Sequence, residues 1–246
     1  MAPVTASLVG VCLGVFALEY AFHIAERPDL LSRWALSRDG LASGMWWTVV
    51  THMFLHANLL HLMVNVLGLW FIGPEVEMML GRSRYLLLYF ISGIAGGLLQ
   101  TAFAAPSSEL VGASGALCGV LLSFTTAYPE MPLQALLFFV LPVRMKAKTL
   151  GRGLVLLSLL FAMVRFLPQI GHLAHLGGAL AGAFLTWWWL PSSKARRPVP
   201  VMRGDPQQRT DELLARVVEE GIEGLSREER RQLERLADRG GRRRGA

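Results

Sequence analysis

The sequence predicts an all-α polytopic membrane protein, in which a six-transmembrane-helix bundle is followed by a short cytosolic helical hairpin. Of the 246 residues, 53% are hydrophobic and 17% are charged, and the mean hydropathy of +0.42 exceeds that of ordinary soluble domains. Polar breaks divide residues 1–193 into apolar segments close to the ~20 residues that cross a bilayer. More than half of the charged residues lie after residue 193. We therefore expect a membrane core at 1–193, a polar linker at 194–209 and a cytosolic helical tail at 210–246.

Six segments are candidate spanning helices, because each is predominantly apolar and is bounded by charged or turn-forming residues. They are residues 6–24, 56–73, 84–104, 114–128, 150–167 and 174–191. The first segment lacks the charged leader of a signal peptide, so we expect it to be retained as a helix, although Glu19 is unusual there. The apolar stretch between Pro132 and Pro142 is too short to cross. We expect it to lie at the membrane interface or to extend a neighbouring helix.

The positions of Arg and Lys predict that both termini are cytoplasmic. Arg82, Arg84 and the basic residues at 144–152 lie in the short loops that this topology places inside. Trp46 and the tryptophans at 187–189 lie near ends of the predicted helices, where we expect them to act as interfacial anchors.

The tail's composition predicts two short helices, the second opened by a capping box at 226–229. The net charge is +6, but basic and acidic residues are interleaved in the tail outside 242–244. A short basic run near a bilayer meets anionic lipid headgroups more often than nucleic acid. We therefore expect the lipid bilayer and no nucleic acid as a partner, and the sequence leaves the oligomeric state open.

Several kinds of chemistry are excluded by residues that the chain lacks. Two cysteines, Cys12 and Cys118, are too few for a disulfide framework or a four-thiolate zinc site. No Asp occurs between Asp39 and Asp205, and there is no H-E-x-x-H motif, which excludes aspartyl and zinc intramembrane proteolysis. The histidines of the membrane segments have no carboxylate beside them at depth. We therefore predict no cofactor and no metal.

Polar side chains at membrane depth are costly, so those of the second segment are candidates for function. This segment begins His56-Ala-Asn-Leu-Leu-His61-Leu-Met-Val-Asn65. His61 and Asn65 are four residues apart, so they share one helix face and direct two hydrogen-bond donors to one place. His56 lies off that face and nearer the entrance. Polar contact between helices is the alternative interpretation of this pair.

A serine between glycines begins the fourth segment, in the sequence Gly112-Ala-Ser114-Gly115. Ser114 is therefore expected at a helix N-terminus, where unpaired backbone N–H groups and the helix dipole favour negative charge. Such a position suits a nucleophile whose attack creates an oxyanion. Helix packing or capping is the alternative role of this serine.

The sixth segment places a histidine on a face of small residues. His175, Gly178 and Gly182 follow an i, i+3, i+7 spacing. Small residues admit a close neighbouring helix. If that neighbour is the fourth segment, His175 reaches Ser114.

Together these side chains predict a serine hydrolase. Ser114 is the expected nucleophile, and His175 is the expected general base and later the general acid. His61, Asn65 and the Ser114 backbone N–H are the expected oxyanion donors. Because no carboxylate is available at membrane depth, the sequence predicts a Ser–His dyad and not a triad.

These motifs resemble those of the rhomboid intramembrane serine proteases, over residues 42–190. The resemblance rests on His56-x4-His61-x3-Asn65, Gly112-Ala-Ser114-Gly115 and Ala174-His175-Leu-Gly-Gly178-x3-Gly182, and Glu77-x2-Leu80-Gly81 is similar to a loop pattern of the family. It implies a six-helix rhomboid-like bundle in which the serine helix starts below the membrane surface, in a water-filled cavity. It also implies cleavage of transmembrane segments of other proteins by Ser114 and His175, with His61 and Asn65 at the oxyanion. The tail resembles a module of some bacterial rhomboids, which implies a bacterial-type inner membrane.

Supporting roles are implied for His56, Gly112, Gly115, Cys118, Gly178, Gly182 and Glu77. The chain departs from the family at two positions. Thr48 follows Trp47 where many members have Arg, so we expect a hydrogen-bond anchor of that loop to be missing or replaced. Cys118 lies where many members have a ring that stacks on the catalytic histidine, so we expect a less restrained His175. The alternative function, from another class, is a catalytically silent rhomboid-like protein that binds membrane clients, but the presence of both Ser114 and His175 favours the protease.

Overall fold

The computed structural model describes residues 2–137, 141–164 and 170–190, together with Val217. The chain forms two compact units, Met1–Arg197 and Pro198–Ala246. Apart from Val217, the second unit lies outside the described residues. The linker at 194–209 and the helical tail at 210–246 therefore stay predictions.

The described part of the first unit is mostly helical. In chain order its elements are α1 (Pro3–Ala21), a 3-10 turn (Ile24–Glu26), α2 (Pro28–Leu31), α3 (Arg38–Ala42), α4 (Thr48–Thr51), α5 (Leu59–Leu80), α6 (Arg82–Phe103), α7 (Ser114–Ala127), β1 (Pro132–Leu137), β2 (Leu141–Lys146), α8 (Ala147–Met163) and α9 (His172–Trp189). Within the described residues, α1, α5 and α6 are long and apolar enough to cross a membrane, and α7 is a shorter apolar helix. The prediction of a helical membrane protein is confirmed.

Each predicted segment overlaps one of the six longest helices, and the largest difference in boundary is at the end of α5. This helix continues through Pro74 to Leu80, whereas the predicted segment ends at residue 73. A proline inside a helix lacks one N–H donor, but neighbouring groups satisfy the freed carbonyl in membrane helices. Trp70 and Phe71 on α5 are 50% and 70% exposed, as expected of side chains that contact lipid.

Residues 133–137 and 141–142 form strands and do not extend a helix, so that part of the prediction is wrong, and residues 138–140 lie outside the described residues. The two strands pair as an antiparallel hairpin, in which Pro132 pairs with Lys146 and Leu137 with Leu141. Proline disfavours the interior of a helix, while extended backbone can pair with a second strand. Beside the hairpin, Glu130 accepts hydrogen bonds from Lys148 at 2.6 Å and Lys146 at 3.0 Å. The two lysines hold the pKa of the Glu130 carboxyl below its usual range.

Glycines bring α9 into backbone contact with α7. A Cβ on Gly178 would overlap the carbonyl of Gly115, and a Cβ on Gly182 would overlap the carbonyl of Gly119. Only glycine allows helices to approach this closely. The contact aligns the start of α9 beside the start of α7, where the predicted site residues lie.

Glu77 near the end of α5 caps the beginning of α1. Its carboxylate accepts hydrogen bonds from Val4 N at 3.1 Å, Thr5 N at 2.8 Å and Thr5 Oγ1 at 2.9 Å. The first N–H groups of a helix have no partner within the helix, and the helix dipole favours an anion there. The buried Glu77 therefore fixes α1 against α5.

The loop between α1 and α5 is anchored by Arg38. Its guanidinium donates to the carbonyls of Thr101, Ala102 and Ala104 at 3.1, 2.8 and 2.9 Å, at the end of α6. Thr48 is fully buried and bonds only locally in the described structure, its hydroxyl donating to the Met45 carbonyl. Arg38 thus supplies a loop anchor that Thr48 does not.

Candidate active site

The start of α7 has a conformation that only glycine adopts readily. Gly112 has a φ of +123°, and its N–H donates to the His52 carbonyl at 2.8 Å. A Cβ at this position would lie 2.7 Å from Nε2 of His61. Glycine is therefore needed both for the backbone turn and for the close approach of the His61 ring. The turn ends at Ser114, the first residue of α7.

The structure brings Ser114 and His175 together. Nε2 of His175 lies 2.8 Å from Oγ of Ser114, although the residues are 61 positions apart in the chain. The serine hydroxyl donates to Nε2 when the imidazole proton is on Nδ1. Both residues are half-buried. The geometry allows a proton to pass directly from the serine to the histidine.

His175 is held by the first turn of α9, and this turn is capped by a residue that the sequence analysis missed. Oε1 of Gln100, on α6, accepts hydrogen bonds from Leu173 N at 3.0 Å and Ala174 N at 3.3 Å. An amide at membrane depth is costly, and the same rule that selected Asn65 could have found Gln100.

Asn65 and His61 lie one turn apart on α5, as predicted. Nδ2 of Asn65 donates to the backbone carbonyl of His61 at 2.8 Å, which leaves the second Nδ2 hydrogen for a ligand. Oδ1 of Asn65 is buried and has no hydrogen-bond partner within the described residues. The His61 ring lies against Gly112, two residues before Ser114. His61 is thereby placed beside the chain that leads into the serine.

Two further histidines adjoin these residues. The ring of His56 packs edge-on against that of His61, with centroids 5.3 Å apart. The ring of His172 packs in the same way against His175, at 6.3 Å. Cys118 packs on another part of α9, against Ala179. Among the described residues, the aromatic ring that packs against His175 is therefore that of His172, on the same helix.

A pocket of about 680 Å³ lies beside His172, between the end of α6, the following loop, α8 and the start of α9. Its walls include Phe103, Leu110 and Phe161, together with Glu109. Partial burial raises the pKa of the Glu109 carboxyl. The pocket therefore has mixed polar and apolar walls with one acidic group, and it adjoins the site through His172 without being lined by Ser114 or His175.

A metal site is not found in the described part of the chain, where no group of three or more His, Cys, Asp and Glu side chains is arranged to hold an ion. The described structure also gives His175 no hydrogen bond to a carboxylate. The arrangement can perform proton transfer and nucleophilic attack with its own side chains.

The fold and the site define a class: a helical membrane protein with a serine and a histidine hydrogen-bonded between two helices. Residues 43–192, more than half of the chain, match the family model of the Rhomboid domain. The chain belongs to the rhomboid family, which confirms the resemblance in its motifs.

Several relatives are similar to this chain over most of its length. Rhomboid protease GluP of Bacillus subtilis is 34% identical over 171 residues, which are 69% of this chain and 31% of that protein. RHOMBOID-like protein 5 of Arabidopsis thaliana is 35% identical over 159 residues, 64% of this chain and 48% of that protein. Rhomboid protease GlpG of Yersinia enterocolitica is 26% identical over 191 residues, 76% of this chain and 62% of that protein. The chain thus spans less than two thirds of the length of each of these relatives.

Proposed function

We propose that this protein is an intramembrane serine endopeptidase that cleaves transmembrane segments of other membrane proteins with a Ser–His dyad. The observation that carries the proposal is the 2.8 Å contact between Oγ of Ser114 and Nε2 of His175. It is supported by membership of a family in which GluP and GlpG are named proteases.

In the proposed reaction, Oγ of Ser114 attacks the carbonyl carbon of the substrate while its proton passes to Nε2 of His175. The tetrahedral intermediate collapses to an acyl-enzyme as His175 returns the proton to the leaving amine. Water, activated by the same histidine, then hydrolyses the ester and restores Ser114. No carboxylate is required, because the imidazole alone accepts and returns the proton.

The oxyanion of the intermediate would be stabilised at the start of α7. Within the described part of the chain, the residue that precedes this helix, Ala113, provides no side-chain cap, so we expect the Ser114 N–H to be available to an anion. His61 and the free Nδ2 hydrogen of Asn65 are the proposed side-chain donors. Such donors contribute most where water is excluded, because they act in a low dielectric.

The length of α7 supports a site below the membrane surface. Its 14 residues span ~21 Å, about 9 Å less than the ~30 Å hydrocarbon core. Glu130, Lys146 and Lys148 mark the polar surface at the far end of the helix. We therefore place Ser114 about 9 Å below the opposite surface.

The proposed membrane arrangement has six spans, α1 and α5 to α9, with both termini in the cytoplasm of a bacterial-type inner membrane. Ser114 and His175 then both lie near the outer end of their helices. Fusion of alkaline phosphatase or of a green fluorescent protein after residue 246 tests the topology. Fluorescence without phosphatase activity is expected, and the opposite result would contradict it.

The test of the proposed activity is labelling by a fluorophosphonate, which phosphonylates an activated serine Oγ with loss of fluoride. Wild-type protein in detergent is expected to be labelled and to cleave a generic transmembrane-helix substrate, whereas Ser114→Ala and His175→Ala are not. Ser123→Ala is the matched control, because this buried serine of α7 contacts Thr186 and not His175. Folded wild-type protein that is neither labelled nor active would favour the client-binding alternative.

A further inference from the structure

Glu19 is a carboxylate that the proposed mechanism does not use, near the end of α1. It is 7% exposed, and its Oε2 accepts a hydrogen bond from the backbone N–H of His56 at 3.1 Å. Thr5, Cys12 and Glu19 recur every seven residues on the face of α1 that is buried in the protein. Glu19 is therefore directed into the bundle and not towards lipid.

The residue that Glu19 holds belongs to the segment that leads into α5. His56 is buried, and its Nδ1 lies 3.1 Å from the Phe54 carbonyl. The orientation of His56 is thus fixed by two hydrogen bonds. Its backbone N–H donates to Glu19, and its ring Nδ1 donates to the Phe54 carbonyl. Its ring in turn packs edge-on against His61 at 5.3 Å.

A continuous series of contacts connects Glu19 to the segment that contains the proposed nucleophile, Ser114. The His61 ring, which His56 contacts, lies against Gly112, and Gly112 precedes Ser114 by two residues. A buried carboxylate is costly unless it is hydrogen-bonded, and the His56 N–H supplies that bond here. Removal of this acceptor would leave the buried His56 N–H unpaired.

We propose that Glu19 is a positioning residue, which orients His56 and through it fixes the His61 ring for oxyanion stabilisation. The inference rests on the proposed protease function. Because Glu19 acts through a hydrogen bond that it accepts, an amide oxygen in its place performs the same task, and an aliphatic side chain does not.

The test compares Glu19→Leu with Glu19→Gln in the full-length protein, using a transmembrane-helix substrate. Glu19→Leu is expected to lower kcat about tenfold with KM unchanged, because oxyanion stabilisation acts in the transition state and not in substrate binding. Glu19→Gln is expected to retain most of kcat. Thr5→Val is the matched control: it removes a buried hydrogen bond from the other end of α1, so it lowers thermal stability and leaves kcat at the wild-type level.

A second readout does not depend on turnover. The 15N resonances of the His56 and His61 imidazoles are expected to shift in Glu19→Leu and to stay at their wild-type positions in Thr5→Val. Wild-type kcat in Glu19→Leu, or an equal loss of kcat in Glu19→Gln or Thr5→Val, would overturn the positioning role. Unchanged imidazole resonances in Glu19→Leu would overturn it as well, even if the wild-type protein is not a protease. Failure of fluorophosphonate labelling in the wild type would overturn the protease function and with it the oxyanion role, whereas the imidazole resonances would still decide whether Glu19 orients the two rings.

Discussion

The cap that Gln100 provides for α9 leads to a quantitative prediction. Gln100→Met keeps the volume of the side chain and removes the acceptor from Leu173 N and Ala174 N. The N-terminal flanking residue of α9, Gly171, has no side chain that could replace it. Loss of a helix cap costs about 0.5–2 kcal/mol, and leaving buried N–H groups unpaired costs about 1–3 kcal/mol. Because one bond is long, at 3.3 Å, we expect about 1–2 kcal/mol in total.

The two lost hydrogen bonds lie in the turn that carries His175. We therefore expect Gln100→Met to lower activity as well as stability. At about 2–4 °C per kcal/mol, the midpoint of thermal unfolding in detergent is expected to fall by about 2–8 °C. If about 1 kcal/mol of this loss comes from misalignment of His175, the rate of fluorophosphonate labelling falls about fivefold. Both quantities are measured on the same purified sample.

The control for Gln100→Met is a change at the other end of the same helix. Thr186→Val removes the hydrogen bond from Thr186 Oγ1 to Ser123 Oγ, at 2.6 Å, and is expected to lower the unfolding midpoint without changing the labelling rate. Wild-type labelling in Gln100→Met, or an equal decrease in Thr186→Val, would refute the argument that the cap aligns His175.

Three further predictions concern the site, the packing and the hairpin. Asn65→Ala should lower kcat by roughly 10²-fold or more if its amide donates to the oxyanion; an unchanged kcat would assign Asn65 to packing. Gly178→Ala should abolish labelling, because its Cβ would overlap a backbone carbonyl of α7. Gly153→Ala on α8 is the control: no atom of another described element lies within 4 Å of its Cβ, so it should be neutral or stabilising. The lowered pKa of Glu130 implies stability that is present above the ordinary glutamate pKa of about 4.3 and is lost as the pH falls through the lowered value. The unfolding midpoint of Glu130→Gln should therefore change less than that of the wild type between about pH 5 and pH 3, and parallel pH profiles would contradict this.

The sequence predicts the helices of this fold better than their ends. Apolar segments of the sequence overlap α1 and α5 to α9, and among the described helices α1, α5 and α6 are long and apolar enough to cross a membrane. Proline alone does not decide a boundary: Pro74 lies inside α5, whereas Pro132 and Pro142 lie in strands. The difference lies in the partners available to the backbone, which are set by tertiary structure.

The contact between Ser114 and His175 could be anticipated, because periodicity places the histidine on the same face as Gly178 and small residues select close helix neighbours. The hydrogen-bond partners of Gln100 and Glu19 could not be anticipated from the sequence. The high cost of polar groups in lipid marks both residues as functional or structural, but their partners, Ala174 N and His56 N, depend on how the helices cross. The roles proposed for the site residues remain predictions for the variants described above.

Helix ends in this protein are satisfied by side chains from distant parts of the chain. Glu77 caps the beginning of α1, and Gln100 caps the beginning of α9. At the end of α6, Arg38 donates hydrogen bonds to the last carbonyls of the helix. In a soluble protein, water or a neighbouring residue can fill these places, but within a membrane the partner must come from the protein. Each such contact therefore fixes the position of one helix relative to another while it satisfies the backbone. We therefore expect a single polar side chain such as Gln100 to affect both the stability of the bundle and the geometry of a site on another helix.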